Sequence, residues 1–180
     1  MKTDALGQTL GQSLNNAESW IRQAEQQLLV AEAIAPNVRV RAASEAGNLL
    51  GVGYLKTTVL LLALAVENSF KAIKASRNEL QVDAQGLTRQ TRGGGPSGHS
   101  LLTLANEVGL SLSDDQKALL KKLTAIGIWA GKYHTPIRHQ EFEQANLANP
   151  RSLTLPSDIS TVRALFLEAA RIAGVPPVVA

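Results

Sequence analysis

From Thr57 to Ala75 the chain is apolar on nearly every side of a helix, and this segment constrains the fold more than any other. A helix patterned in that way has to be covered all round, so it marks a central element with other helices packed about it. Composition points the same way. The 44% of apolar residues is mostly Leu, Ala, Val and Ile, with aromatics at 4%, a mixture that favours helix over sheet. The longest unbroken apolar run, Val59 to Val66, stops at Glu67 and falls short of the roughly 20 residues that span a bilayer. The opening MKTDALGQTLGQSLNN has no apolar core of signal-peptide length. The expectation is therefore a cytoplasmic, all-α, single-domain protein. With no cysteine, a disulfide scaffold, a Cys-zinc site and a thiol nucleophile are excluded.

The helices can be placed from periodicity and punctuation. Trp20, Ala24, Leu28, Ala31 and Ala35 form a stripe within a first helix over Ser13–Ala35, with Glu18, Arg22, Glu25 and Glu32 mostly off it; Pro36 ends it. A second helix is expected over Arg39–Arg77. Gly47, Gly51 and Gly53 there would let another helix pack closely, at roughly 1 kcal/mol each relative to Ala. An irregular stretch, Leu80 to Gly98, contains Gly93-Gly94-Gly95-Pro96-Ser97-Gly98, expected to be its most mobile part. A short helix spans Leu101–Val108 up to Gly109. Ser113 with Gln116 forms a capping box for a fourth helix reaching about Lys132, before Pro136. A polar link over 141–156 precedes a last helix, expected to be capped by Ser157 and to run to Ala173. Val162, Leu165, Phe166 and Ala169 face inward there, Gly174 ends the helix, and 174–180 form a tail. These elements make an antiparallel bundle of about five helices.

Charge is unevenly spread. Residues 1–83 balance at eight Lys/Arg and eight Asp/Glu, whereas 84–140 hold seven cations against three acids and all three histidines. Two clusters stand out. One is Arg89, Arg92 and His99; the other is Lys132, Tyr133, His134, Arg138 and His139. Arginine suits bidentate phosphate contact, and histidine titrates near neutral pH, so together they can bind a phosphate or move a 2′-hydroxyl proton. Arg92, His99, Lys132 and His139 are the candidate catalytic residues; Arg89, Arg92, His99, Lys132, Tyr133 and Arg138 are the candidate ligand-binding ones. The competing view makes the same cations solvated surface and the aromatics core. No metal site is expected, since His134 and His139 straddle a proline, and no cofactor motif is present: GGGPSG lacks the Lys-Ser/Thr of a P-loop. Glu67, ending the apolar run, is expected to be buried or at a dimer seam, facing a cation on a neighbouring helix or a hydroxyl.

Three segments in order resemble the HEPN domain superfamily. They are Leu60-Leu-Leu-Ala-Leu-Ala-Val-Glu67-Asn-Ser-Phe-Lys71-Ala, then Gly98-His99-Ser-Leu-Leu-Thr-Leu104, then Trp129-Ala-Gly-Lys-Tyr-His-Thr-Pro136, within residues 10–140. The resemblance implies a helical bundle, commonly a homodimer, that associates with RNA, a nucleotide or a nucleotidyltransferase or antitoxin partner in toxin–antitoxin or defence systems. Ribonuclease members share an Arg-(four to six residues)-His motif in a late helix. Here Arg92 and His99 have that spacing but stand before the third helix. Lys132 and His139 stand in the right region with Lys for Arg. The expectation is thus a binding protein acting through its basic middle section, with a metal-independent endoribonuclease and a structural interaction module as alternatives.

Overall fold

The computed structural model describes residues 12–38, 45–82, 88–89, 100–129 and 155–179. Its helices are α1 (Ala17–Ile34), α2 (Glu45–Ser76), α3 (Leu101–Glu107), α4 (Asp114–Trp129) and α5 (Leu155–Ala173). The only strand pairing among the described residues joins β1 (Gln81–Val82) to β2 (Thr88–Arg89), antiparallel, with Gln81 opposite Arg89. The fold is all-α. The 80–98 stretch is accordingly not irregular throughout, and its Gly93–Gly98 portion lies outside the described residues.

One apolar core draws on all five helices. Ile21, Ala24, Leu28 and Ala31 of α1 meet Val59, Leu62, Val66, Phe70 and Ile73 of α2 in the largest helix–helix interface among the described residues. Leu101 and Ala105 of α3, Leu120 and Leu123 of α4, and Val162, Leu165, Phe166 and Ala169 of α5 complete it. Side-chain ties fix the register of α1 on α2. Asn15 Nδ2 donates to the Leu80 carbonyl at 3.0 Å, and Asn68 Nδ2 donates to Gln27 Oε1 at 2.8 Å. The two helices therefore run in opposite directions. The N-terminal turns of α2 project past the end of α1, and there Leu49, Leu50 and Val52 are 69%, 62% and 50% exposed.

Boundaries follow the capping chemistry. α1 starts later than Ser13 because the Asn16 side chain accepts from the Ser19 amide at 3.2 Å and caps it, leaving a separate helical turn at 12–14. Ala35–Asn37 is a 3-10 turn with Pro36 in it. α2 begins at Glu45; residues 39–44 fall outside the described part. Ser100 caps α3 through the Thr103 amide. Ser113 and Gln116 form the expected reciprocal box, Ser113 N donating to Gln116 Oε1 and Gln116 N to Ser113 Oγ. α4 is described as far as Trp129. α5 begins at Leu155, so Ser157 is not its cap and the link loses its last two residues to the helix. Pro156 sits in the first turn, where its missing N–H costs nothing.

Three helices close in the same way. Behind α3, Gly109 N donates to the Asn106 carbonyl and Leu110 N to Ala105 O, while Gly109 takes φ of 76°. Gly174 at 71° repeats this after α5, and Asn78 at 56° repeats it after α2. A side chain at Gly109 would meet nothing in space, so only the left-handed backbone penalises it. Gly109→Ala is expected to cost about 1 kcal/mol, read as a lower urea midpoint with an unchanged slope.

Two sequence expectations for α2 are corrected. Gly51 is buried, but Gly53 is exposed with nothing within 4 Å of the position its Cβ would take, so among the described residues no helix packs into that gap. As a whole helix, Ala46–Ser76 is long and apolar enough to cross a membrane, with 39% of its most apolar window buried. The unbroken run Val59–Val66 is shorter because Lys56-Thr57-Thr58 and Glu67-Asn68-Ser69 bound it, although further apolar residues lie beyond them on the same helix.

Candidate functional site

The described polar residues concentrate where the C-terminal half of α2 meets the start of α1 and the end of α3. Glu67, Lys71 and Lys74 follow at i, i+4 and i+7, so they rise along one side of α2. Lys71 Nζ donates to Glu67 Oε1 at 2.6 Å and lies 5.2 Å from the centre of the Trp20 ring, within cation–π range. The indole is itself pinned, its Nε1 donating to the Leu14 carbonyl at 2.7 Å. One turn on, Lys74 Nζ donates to Glu107 Oε2 at 2.9 Å, and Arg77 Nη2 donates to the Val108 carbonyl at 3.1 Å. Buried ammonium groups need such partners, because desolvation without them is prohibitive. The Lys71 and Lys74 side chains are 19% and 6% exposed, so Lys71 is the one an anion from solvent could reach.

The Glu67 side chain is 12% exposed and faces a cation, as expected for its orientation, but that cation stands on its own helix. The i, i+4 spacing of Glu before Lys is the favourable one. Of the remaining candidates, Arg89 is described only as a strand residue opposite Gln81. Arg92, His99, Lys132, Tyr133, Arg138 and His139 lie outside the described residues, as does His134. The chain on either side of them is informative. The Leu101 amide, two residues after His99, donates to Thr124 Oγ1 at 3.0 Å, and Thr124 Oγ1 in turn donates to the Leu120 carbonyl. The start of α3 and the later half of α4 therefore meet directly. On α4 itself, Leu119, Leu120 and Leu123 are buried while Lys117 and Lys121 are exposed one turn apart. Lys117 is paired with Asp114 at 3.0 Å. Among the described residues no three His, Asp or Glu side chains cluster as metal ligands would.

A second polar centre was not apparent from the helical pattern. Glu25, expected on the outer side of α1, is 5% exposed. Its Oε1 accepts the amides of both Val178 and Val179 at 2.7 Å, and its Oε2 accepts Arg22 Nη1 at 3.3 Å. Arg22 Nη1 also donates to the Pro176 carbonyl at 3.1 Å. Nearby, Glu32 accepts Arg163 Nε at 2.9 Å, and these hydrogen bonds hold the guanidinium pKa above its ordinary value. This centre fastens the chain after α5 to α1. The signal for it lay 153 residues away in sequence, beyond the reach of any local pattern.

Neither a protein-family model nor a curated protein nor a solved structure matches the chain.

Proposed function

We propose that the chain is a HEPN-like antiparallel helical bundle that binds a phosphate-bearing ligand, RNA or a nucleotide, through its basic middle section. The observation that carries this reading is the charge distribution, seven Lys/Arg against three Asp/Glu over residues 84–140 with no acid between Asp115 and Glu141. The Leu101–Thr124 hydrogen bond adds support, since it joins the two elements from which the Arg89–His99 and Lys132–His139 segments extend. Exposed Lys117 and Lys121 on α4 carry the same sign along the intervening helix.

The test is Arg92→Ala combined with Lys132→Ala, with binding of single-stranded RNA and of a nucleotide followed by fluorescence anisotropy at low and moderate salt. Each phosphate contact contributes about 0.7 to the salt slope on a single strand, so losing both shallows the slope by roughly 1.4. Unchanged affinity and slope would overturn the proposal. Strand cleavage that persists in EDTA would replace it with the ribonuclease alternative, in which Arg92 or Lys132 neutralises the phosphorane charge and His99 or His139 moves the proton.

A further inference from the structure

The first turns of α2 stand clear of the helices packed beside it. Asn68 is bonded to Gln27 and α1 runs opposite to α2, so Ile34, the last residue of α1, is roughly level with Leu61. Arg163 is bonded to Glu32 and Val178 to Glu25, so α5 runs opposite to α1, and its first residue, Leu155, is roughly level with Leu55. Residues 46–55 therefore make roughly 15 Å of helix beyond the ends of both. Six of these ten residues are exposed and only Gly51 is buried. From Asn48 round to Leu50, the exposed six take up about 200° of the helix circumference at 100° per residue. Leu49, Leu50 and Val52 are among them, and no charge falls between Glu45 and Lys56.

We propose that these turns are a peripheral contact for a phospholipid bilayer, with α2 lying in the plane of its surface. Width decides against a single protein helix as the occupant. One packed helix takes a stripe of about 100°, whereas an arc about twice as wide is covered by immersion. Charge decides the depth. Glu45 and Lys56 bracket the uncharged stretch, and the C-terminal half of α2 is packed in the core and carries Glu67, Lys71 and Lys74. The helix thus lies at the surface and does not cross. Tyr54 and Lys56 are half-buried where the helix enters the bundle; each joins an apolar stem to a polar tip and suits the headgroup level. Charge also decides the lipid. Over 39–56 the sequence holds Arg39, Arg41 and Lys56 against Glu45 alone, and the whole chain stands at +3, so the favoured surface is anionic.

The chain has no cysteine, so a single introduced one reports from a chosen position. A nitrobenzoxadiazole label on Leu50→Cys should brighten and shift to the blue when vesicles of phosphatidylcholine and phosphatidylglycerol are added. The same label on Val178→Cys, an exposed position held against α1 by Glu25, should not change. Wild-type protein should float with these vesicles, and more weakly with phosphatidylcholine alone. Leu49→Glu combined with Leu50→Glu should lower vesicle partitioning at least about tenfold. Its urea midpoint should stay close to that of the parent, because both side chains are already exposed. Arg92→Ala with Lys132→Ala should float like the parent, which separates this contact from phosphate binding by the basic middle section. Wild-type protein that floats with neither vesicle would overturn the proposal. So would flotation that survives the two glutamates, or that is lost only with Arg92 and Lys132. A Leu50→Cys label already shielded without vesicles would show that protein covers these turns, and would equally overturn it.

Discussion

Phe70→Ala is expected to remove about 3–5 kcal/mol of stability, the range for truncating a fully buried aromatic side chain. Phe70 is 0% exposed and stands on α2, the helix against which the other four pack. Truncation loses the transfer free energy of the ring and leaves a cavity that its neighbours fill only in part. For a domain of this size each kilocalorie lowers the melting midpoint by roughly 2–4 °C, so a fall of about 10 °C is expected. Urea unfolding should show a lower midpoint at unchanged slope. Leu50→Ala on the same helix, where the side chain is 62% exposed, should stay within about 0.5 kcal/mol of the parent. A loss of less than about 1 kcal/mol at Phe70 would mean that α2 is not the centre of the core.

That contrast also shows what the sequence could convey. α2 was legible as the central helix because apolar residues crowd every side of it, yet periodicity alone cannot separate a side covered within the chain from one left open. Leu62 and Leu60 look alike in sequence; only the packing of α1 and α5 makes the first buried and the second half-buried. Several helix ends were legible from a local cap, although Asn16, an equally local cap of α1, was not, and Ser157 does not cap α5. Ser113 with Gln116, Gly109 and Gly174 each act within a few residues and were read directly. Asn78 takes the same left-handed role without a glycine to announce it. Glu67 was legible as a carboxylate that must find a cation, and Lys71 was there one turn away. The Lys74–Glu107 pair and the Glu25 centre were not, because their partners come from distant parts of the chain and meet only once the helices have packed.

Glu25→Ala is the other substitution expected to have a large effect, about 2–3 kcal/mol, concentrated at the end of the chain. Hydrogen bonds to an ionised group contribute about 1.5–3 kcal/mol each when one partner is removed, and this carboxylate receives two from consecutive amides. Little else holds that segment. Val178 and Val179 are 70% and 46% exposed, so their side chains contribute modest apolar burial. Val175 is different, because its amide donates to the Ala170 carbonyl in the turn that closes α5 and owes nothing to Glu25. Hydrogen exchange therefore separates local release from general destabilisation. In Glu25→Ala the Val178 and Val179 amides should exchange much faster while Val175 keeps its protection relative to the rest of α5. Glu25→Gln keeps an acceptor oxygen but not the charge, and should lie between the alanine variant and the parent. Arg22→Ala removes the bond to Pro176 and leaves both amide bonds to Glu25, so it should release the segment least. Unaltered exchange at Val178 and Val179 in the alanine variant would show that apolar contact, and not the buried carboxylate, keeps this segment against α1.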